Sequence, residues 1–548
     1  MFKILLNLKE KIKSYLVCRK FVDHNNRVFN NLKKNKKKNQ ILVEFNAFHP
    51  SHIAISYLSN VLGNKNNSEI NAYFNYSIIS SKLERNFLNK LKWIIGNYFS
   101  LKNFKIYRSF GVKNIFKPII TKNINLEAEK EYFRIVSQIK NKNDVLKIKL
   151  HGMLFGDLIY DTYVKSFKKE TINIKDDLFK KLLIDFLKLY FFWYDYFENN
   201  NITAIIGVHT VYTYAVPLRI GINRNISAYA INPQTIYKLN SRMMRMYGDL
   251  YEYPEDFLKL PKALQIKGKN EAKNRLKKRL SGTAGIEVDL LTTANSAFSD
   301  NKTYKKIIEE NSKKKILICT HDFHDAIHAY GELIFTDFYE WIDYLGKISN
   351  QTDYDWYIKN HPSGTGRVLN YQYYTKKIVN QFLKKYPKFK LIPDDCSHNQ
   401  IIKEGIDFVL TCYGSVGVEY PLLDTPVINA SKNNPHNRYN FNFHPQNLKE
   451  YEIILKNLDN LDYQINKEEI YEYYFMRHIF PDGNWLIENR KNMLEFTEGY
   501  DGLFTYKMYE YWLKNYNLKK HNKINQSINI FLDSNDIRIN INHTNNSI

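Results

Sequence analysis

Three short segments in the second half of this 548-residue chain gather side chains suited to binding phosphate or moving protons. The first is His321–His328 (HDFHDAIH), which follows the apolar run Lys315–Thr320. Asp322 or His321 there could accept a proton from a hydroxyl. His324 and His328, spaced i and i+4, could face one metal ion if the segment is helical, although the spacing is not that of HExxH. A capped, solvated helix start is the plainer alternative. The second segment, from Asn360, carries His361 before Pro362; the proline keeps His361 out of the helical region, where its ring could donate to a phosphate. The third is Tyr413–Glu419. Gly414, Ser415, Val416 and Gly417 follow a strand and open a helix, a place where free amides and the helix dipole favour an anion. Glycines permit close backbone approach, Ser415 adds a hydroxyl, and Glu419 lies one turn further in, where it could accept from ribose hydroxyls. An ordinary strand-to-helix turn with a capping serine fits the same letters.

The first half offers weaker candidates. Glu44, His49 and His52 follow or end an apolar run at 41–45, and His209 ends another at 202–208. Asp157 and Asp161 share one face of a helix in GDLIYDTY, with no charge-neutralising partner close in sequence. Each of these residues alone reads equally well as structural.

The elements that must position these residues alternate between strand and helix. Strands are expected at 41–45, 202–208, 227–231, 315–320, 356–359, 389–392, 407–411 and 426–430, with helices at 53–62, 174–199, 212–220, 338–348, 374–385 and 396–404. That alternation predicts parallel sheets with helices on both faces, and open sheets of this kind bind ligands beyond the carboxyl ends of their strands. The length exceeds one ordinary core. The expected organisation is a basic amphipathic helix and linker at 1–40, a first Rossmann-like domain at 41–261, a helical inter-domain region at 262–314, a second Rossmann-like domain at 315–465, helices crossing back at 466–517, and a polar, poorly ordered tail at 518–548.

Composition bounds the partners. Eighty Lys and Arg against 56 Asp and Glu give a formal charge of +24. Such a surface favours an anionic partner, whether a phosphorylated or acidic substrate or an anionic membrane face. Nucleic acid is the poorer choice, because there is no zinc-finger spacing or RNP-like strand and the basic residues are scattered. The four cysteines lie far apart, as suits a reducing cytoplasm. No secretory leader is recognisable. Residues 1–35, with Ile4, Leu5, Leu8, Ile12, Tyr15 and Leu16 at helical spacing among lysines, could lie on an anionic membrane or pack on their own domain.

The run from His361-Pro362, through Asp394-Asp395-Cys396-Ser397 and Thr411–Glu419, to Pro426-Val427-Ile428-Asn429 resembles the capsule polysaccharide biosynthesis glycosyltransferases. These include the Kdo transferases of capsule assembly and, more distantly, the bacterial polysialyltransferases. Gly156–Tyr163 and His321–Tyr339 resemble surface-carbohydrate proteins of polysaccharide gene clusters. The likeness covers about 150 residues of the second half well and the first half loosely. It implies a GT-B architecture, two Rossmann-like domains facing across a cleft, with the donor nucleotide on the second domain and the acceptor on the first. It implies that His361 contacts the donor phosphate, that Ser415 binds phosphate within Gly414–Gly417, and that Glu419 sits near the ribose. Glu44, His49, His52, Asp157 and His209 would then lie on the acceptor side. The implied activity is transfer of a sugar from a CMP- or UDP-linked donor to a polysaccharide or lipid-linked acceptor in the cytoplasm or on the inner membrane face, with no metal or further cofactor. The acidic motif of polysialyltransferases is not found, so the base is not carried over. A teichoic-acid-type polyol-phosphate transferase, a UDP-sugar 2-epimerase and a non-catalytic assembly or export protein are the alternatives.

Overall fold

The computed structural model describes residues 2–29, 39–74, 87–248, 252–282, 297–300, 302–361, 371–481 and 484–544. The linker Lys33–Lys38, Pro362 and most of the Ser-Gly-Thr-Ala-Gly break at 281–285 lie outside them. The chain divides into two compact units: Met1–Ile159 with Ile174–Met246 and Pro481–Ser547, and Tyr160–Asn173 with Tyr247–Phe480.

Among the described residues the main sheet of unit 1 has six strands: β1 (Asn39–Phe45), β2 (Ser68–Phe74), β3 (Val112–Phe116), β4 (Ile202–Gly207), β5 (Ser227–Ile231) and β6 (Ile236–Leu239). Their order is β3-β2-β1-β4-β5-β6, parallel except for β6, which runs back along β5. Ile41, Leu42 and Val43 in β1 and Ala204, Ile205 and Ile206 in β4 have no exposed surface, because helices cover both faces of a parallel sheet. The helices His49–Lys65 and Asp177–Asn199 contribute buried faces of their own.

Among the described residues the sheet of unit 2 has five strands: β7 (Lys315–Cys319), β8 (Asp355–Lys359), β9 (Phe389–Ile392), β10 (Phe408–Thr411) and β11 (Val427–Asn429). All are parallel, in the order β9-β8-β7-β10-β11. The protein is thus α/β, with two Rossmann-like parallel sheets.

Several segments differ from expectation. The helix Lys262–Leu280 is part of unit 2, where Ala272 and Leu276 join a core with Tyr473 and Phe475. Residues 518–544 are not a loose tail: the helix Leu518–Asp533 buries Ile524, Ile528 and Phe531 in unit 1. Low hydropathy hid a narrow apolar stripe among asparagines. The N-terminal helix Phe2–Val28 buries Val17, Phe21 and Val22, and Phe21 stacks on Tyr509 at 4.2 Å. The apolar repeat Leu8, Ile12, Tyr15 and Leu16 is instead exposed.

Asp157 is not an accessible acceptor contact. In the first turn of the helix Gly156–Phe167 it is buried and receives two 2.6 Å hydrogen bonds from Arg219 and two from Arg245, of 2.8 and 3.3 Å. The partners its sequence neighbourhood lacked come from 62 and 88 residues away. Burial alone would raise its pKa; the two guanidinium charges and their hydrogen bonds hold it well below the usual carboxylate range. Asp161, one turn on and in unit 2, is also engaged: it accepts from the His328 amide at 3.0 Å and the His328 Nδ1 at 2.6 Å.

Replacing Asp157 with Ala strands two buried cations, so urea unfolding should show a loss of about 3–5 kcal/mol. The wild-type contribution is full above the unfolded carboxylate pKa and disappears as pH falls through the lower folded value. A variant as stable as the wild type would contradict the assignment.

Candidate functional site in unit 2

β7 lies at the centre of its sheet. The chain leaves it toward β8 on one side and later returns to β10 on the other, so the loops after β7 and β10 part at a topological switch point. Parallel strands end there with amides that the ladder no longer satisfies. His321, two residues past β7, meets that need. Its Nε2 receives the amides of Cys412 at 3.1 Å and Tyr413 at 3.2 Å, and the Thr411 hydroxyl lies 3.1 Å away. Amides only donate, so Nε2 is the bare nitrogen and the proton sits on Nδ1. The ring stacks on Phe338 at 4.5 Å. Burial, with a smaller effect from neighbouring His361, pushes its pKa down to about 3. The lone pair that a base would use is already occupied, so His321 positions the strand ends instead of accepting the proton expected of it.

Asp322 differs. One carboxylate oxygen accepts the His324 amide at 3.0 Å, and the other has no hydrogen bond to a described residue. Burial raises its pKa to about 6, against the pull of that amide and of the nearby lysines Lys168 and Lys165. It is a carboxylate at neutral pH that is more basic than an ordinary one, as a general base needs to be.

The segment 321–331 forms turns, not a helix, so His324 and His328 do not share a face. His328 meets the Asp161 carboxylate through Nδ1 and the Thr336 carbonyl at 3.0 Å through Nε2; both partners accept, so both nitrogens donate. Among the described residues no group of three or more His, Cys, Asp or Glu could hold a metal ion.

His361 follows β8. Its amide donates to Thr320 Oγ1 at 3.0 Å, and the Thr320 hydroxyl donates to the Lys359 carbonyl at 3.1 Å, which anchors the backbone; burial lowers the pKa of the ring. The buried Lys359 ammonium holds the carbonyls of Pro393, Asp394 and Cys396.

The β10 loop opens the helix Val416–Leu422. Its glycines serve the protein's own packing: a Cβ on Gly414 would lie 2.6 Å from Thr411 Oγ1, and one on Gly417 would lie 3.0 Å from His436 Nε2. The Ser415 hydroxyl does not cap the helix but donates to Glu419 at 3.3 Å. The Val416 side chain joins the core beneath the sheet. Buried Glu419 pairs with Arg279. The ribose-facing acceptor expected at Glu419 is therefore a partly committed carboxylate.

These loops line one cavity of about 520 Å³ within unit 2. His321, Asp322, His361, Gly414, Ser415 and Glu419 all reach it, and so do four residues that local sequence reading missed: Arg279, His436, Arg477 and His478. Arg477 and His478 sit on a π-helical turn, Phe475–Ile479, closed by the Phe480 amide on the Phe475 carbonyl at 2.8 Å. Such single-turn insertions occur often at functional sites. Arg477 donates to the Tyr247 carbonyl at 3.1 Å and lies 5.7 Å over the Tyr330 ring. Its only sequence signal was a basic pair inside an aromatic helix.

In unit 1, Glu44 near the end of β1 accepts the Val208 amide at 2.8 Å, across the corresponding switch between β1 and β4. Burial pushes its carboxyl up to about 7. His52 is not available to a ligand as placed, and His49 is held through one of its nitrogens. His49 donates through Nδ1 to the Thr505 carbonyl at 2.8 Å and stacks on Tyr509, and His52 spans the Asn46 carbonyl and the Tyr509 hydroxyl. His209 keeps an exposed side chain.

No family model matches the chain, and no curated protein matches it. Among solved structures, a UDP-GlcNAc 2-epimerase from Neisseria meningitidis aligns at 12% identity over 87% of this chain and 100% of its own, with a TM-score of 0.23. A glycosyltransferase from Rickettsia africae aligns at 9% identity over 88% and 100%, with a TM-score of 0.24. A UDP-GlcNAc 2-epimerase from Methanocaldococcus jannaschii aligns at 12% identity over 79% and 97%, with a TM-score of 0.21. No residue role follows from likeness at this level. Among the described residues, no helix is long and apolar enough to cross a membrane.

The His321 imidazole should remain neutral, with its proton on Nδ1, throughout the range in which an ordinary histidine titrates; nitrogen chemical shifts of the ring read this directly. His321→Ala should cost about 1–3 kcal/mol, because two amides lose their acceptor. An ordinary titration would rule out the amide-bound tautomer.

Proposed function

We propose that the protein is a GT-B-type glycosyltransferase that moves a sugar from a nucleotide-sugar donor to a growing bacterial surface polysaccharide, of capsule or lipopolysaccharide type. One observation carries the reading: His361 and Ser415, from loops of two different strands, line the same cavity at the carboxyl end of a parallel sheet, and Asp322 and Arg477 line it too. The resemblance of His361-Pro362 and Thr411–Glu419 to capsule glycosyltransferases supports it independently.

In this reading the phosphate of the donor occupies the cavity. Arg477, His361 and the amides at the start of Val416–Leu422 stabilise the charge that grows on the leaving phosphate. Asp322 takes the proton from the acceptor hydroxyl as its oxygen attacks the anomeric carbon, the glycosidic bond to phosphate breaks, and the nucleotide leaves with the bonding electrons. His321 positions Tyr413 and Gly414 and moves no proton. Arg279 holds Glu419 at the donor end. No cofactor beyond the nucleotide sugar is needed. In unit 1, His209 is the acceptor-side candidate with an accessible ring.

Asp322→Asn should lower turnover about 10²–10⁴-fold with little change in donor affinity. The wild-type rate should fall as pH drops below about 6, where Asp322 takes up its proton, and this limb should vanish in the variant. His361→Ala should reduce both turnover and donor affinity in a folded protein. A thermal-shift panel of CMP, UDP, GDP and CDP compounds identifies the donor class. Wild-type kinetics in both variants, or a phosphodiester product, would reject the proposal.

A further inference from the structure

Unit 1 carries a second feature, unrelated to the cavity. The helix Phe87–Tyr98 is apolar on two sides. Its inner side is occupied: Trp93 packs edge-on against Phe45, Phe74 and Phe104 at 5.6, 5.0 and 4.9 Å. Its outer side is not covered by any described residue. Leu91, Ile94, Ile95 and Tyr98 recur at i, i+3, i+4 and i+7 and all are exposed, Ile94 at 61% and Tyr98 at 81%. Phe99 continues the patch at 64%, its ring set edge-on to Tyr98 at 4.9 Å. The turn that follows is tight, with Ser100 and Lys102 at φ of 51° and 48°, and it ends on exposed Leu101. Scattered exposed apolar residues need no explanation, but a contiguous row of this size marks an interaction surface.

Charge identifies the partner. From Phe87 to Leu126 the sequence contains no Asp or Glu and eight Lys or Arg. Lys92, Lys102 and Lys105 are exposed beside the row and make no ion pair with a described residue. An apolar row with aromatic residues at one end, flanked by lysines and free of carboxylates, matches the headgroup region of an anionic bilayer. Apolar side chains enter the acyl boundary there while ammonium groups stay at the phosphates.

We propose that this helix, with the turn Phe99–Lys102, docks the protein on an anionic lipid surface. The docking site differs from the N-terminal helix that composition suggested. It is independent of the reaction proposed above, so its test reads binding alone.

The full chain is sedimented with phosphatidylcholine vesicles containing or lacking phosphatidylglycerol. The wild type should bind the anionic vesicles, release at high salt, and ignore the neutral ones. A triple variant, Ile94→Ser with Tyr98→Ser and Phe99→Ser, should lose about tenfold in bound fraction while its thermal midpoint stays unchanged. A Lys92→Gln, Lys102→Gln, Lys105→Gln variant should lose a similar factor. Four results would overturn the proposal. They are wild-type binding by both variants, loss only in an Ile12→Ser, Tyr15→Ser variant of the N-terminal helix, a wild-type dimer that the triple variant splits into monomers, or vesicle binding that appears only after residues 75–86 are excised.

Discussion

A side-chain acceptor facing backbone amides across the switch point is the constraint on which the rest of the site depends. When a parallel strand ends between two neighbours whose chains depart in opposite directions, its partner's last amides lose their ladder acceptors, and burial makes that loss costly. In unit 2 the acceptor is His321, which takes Cys412 and Tyr413. In unit 1 it is Glu44, which takes Val208. Glu44 lies in β1 and His321 just past β7, and each of these strands is flanked on both sides. Once His321 holds the end of β10, Thr411 fixes the Gly414 amide at 3.1 Å, and the start of the next helix is set.

The same physics sorts the titratable residues into roles. A side chain whose lone pairs and protons are all used within the protein is structural, whatever chemistry its type permits. His52 and His328 meet that description, and so does Asp157 with its two arginines. Asp322 does not: burial makes it a stronger base, and only one of its oxygens is engaged by a described residue. Arg477 reaches the cavity because a π turn rotates part of an otherwise α-helical segment, shifting its side chains out of register with the helix before it.

Legibility in the sequence followed burial. The unit 2 strands were read to within two residues, because a strand covered on both faces is a short continuous apolar run such as KILIC or FVLT. β2 and β3 were not read. In β2, Ser68, Glu69 and Asn71 interrupt the pattern, and Asn71 satisfies itself sideways, on Gln40 at 3.0 Å and the Asn114 amide at 3.2 Å. No count of hydrophobic letters detects a polar ladder between strands. The helix Leu518–Asp533 escaped notice for a related reason, since its buried stripe is narrow and its other faces are polar.

Sequence alone determined two α/β series and the three loops at their strand ends, because alternation of apolar strand and amphipathic helix is a local property. It also brought His361 and Ser415 forward together. Whether Asp157 was free, which nitrogen of His321 carried the proton, why Gly414 and Gly417 are glycines, and that Arg279 and Arg477 share a cavity with residues far along the chain were decided only by tertiary structure. Each depends on a partner distant in sequence, and the strength of a charge or hydrogen bond is set by what surrounds it in space.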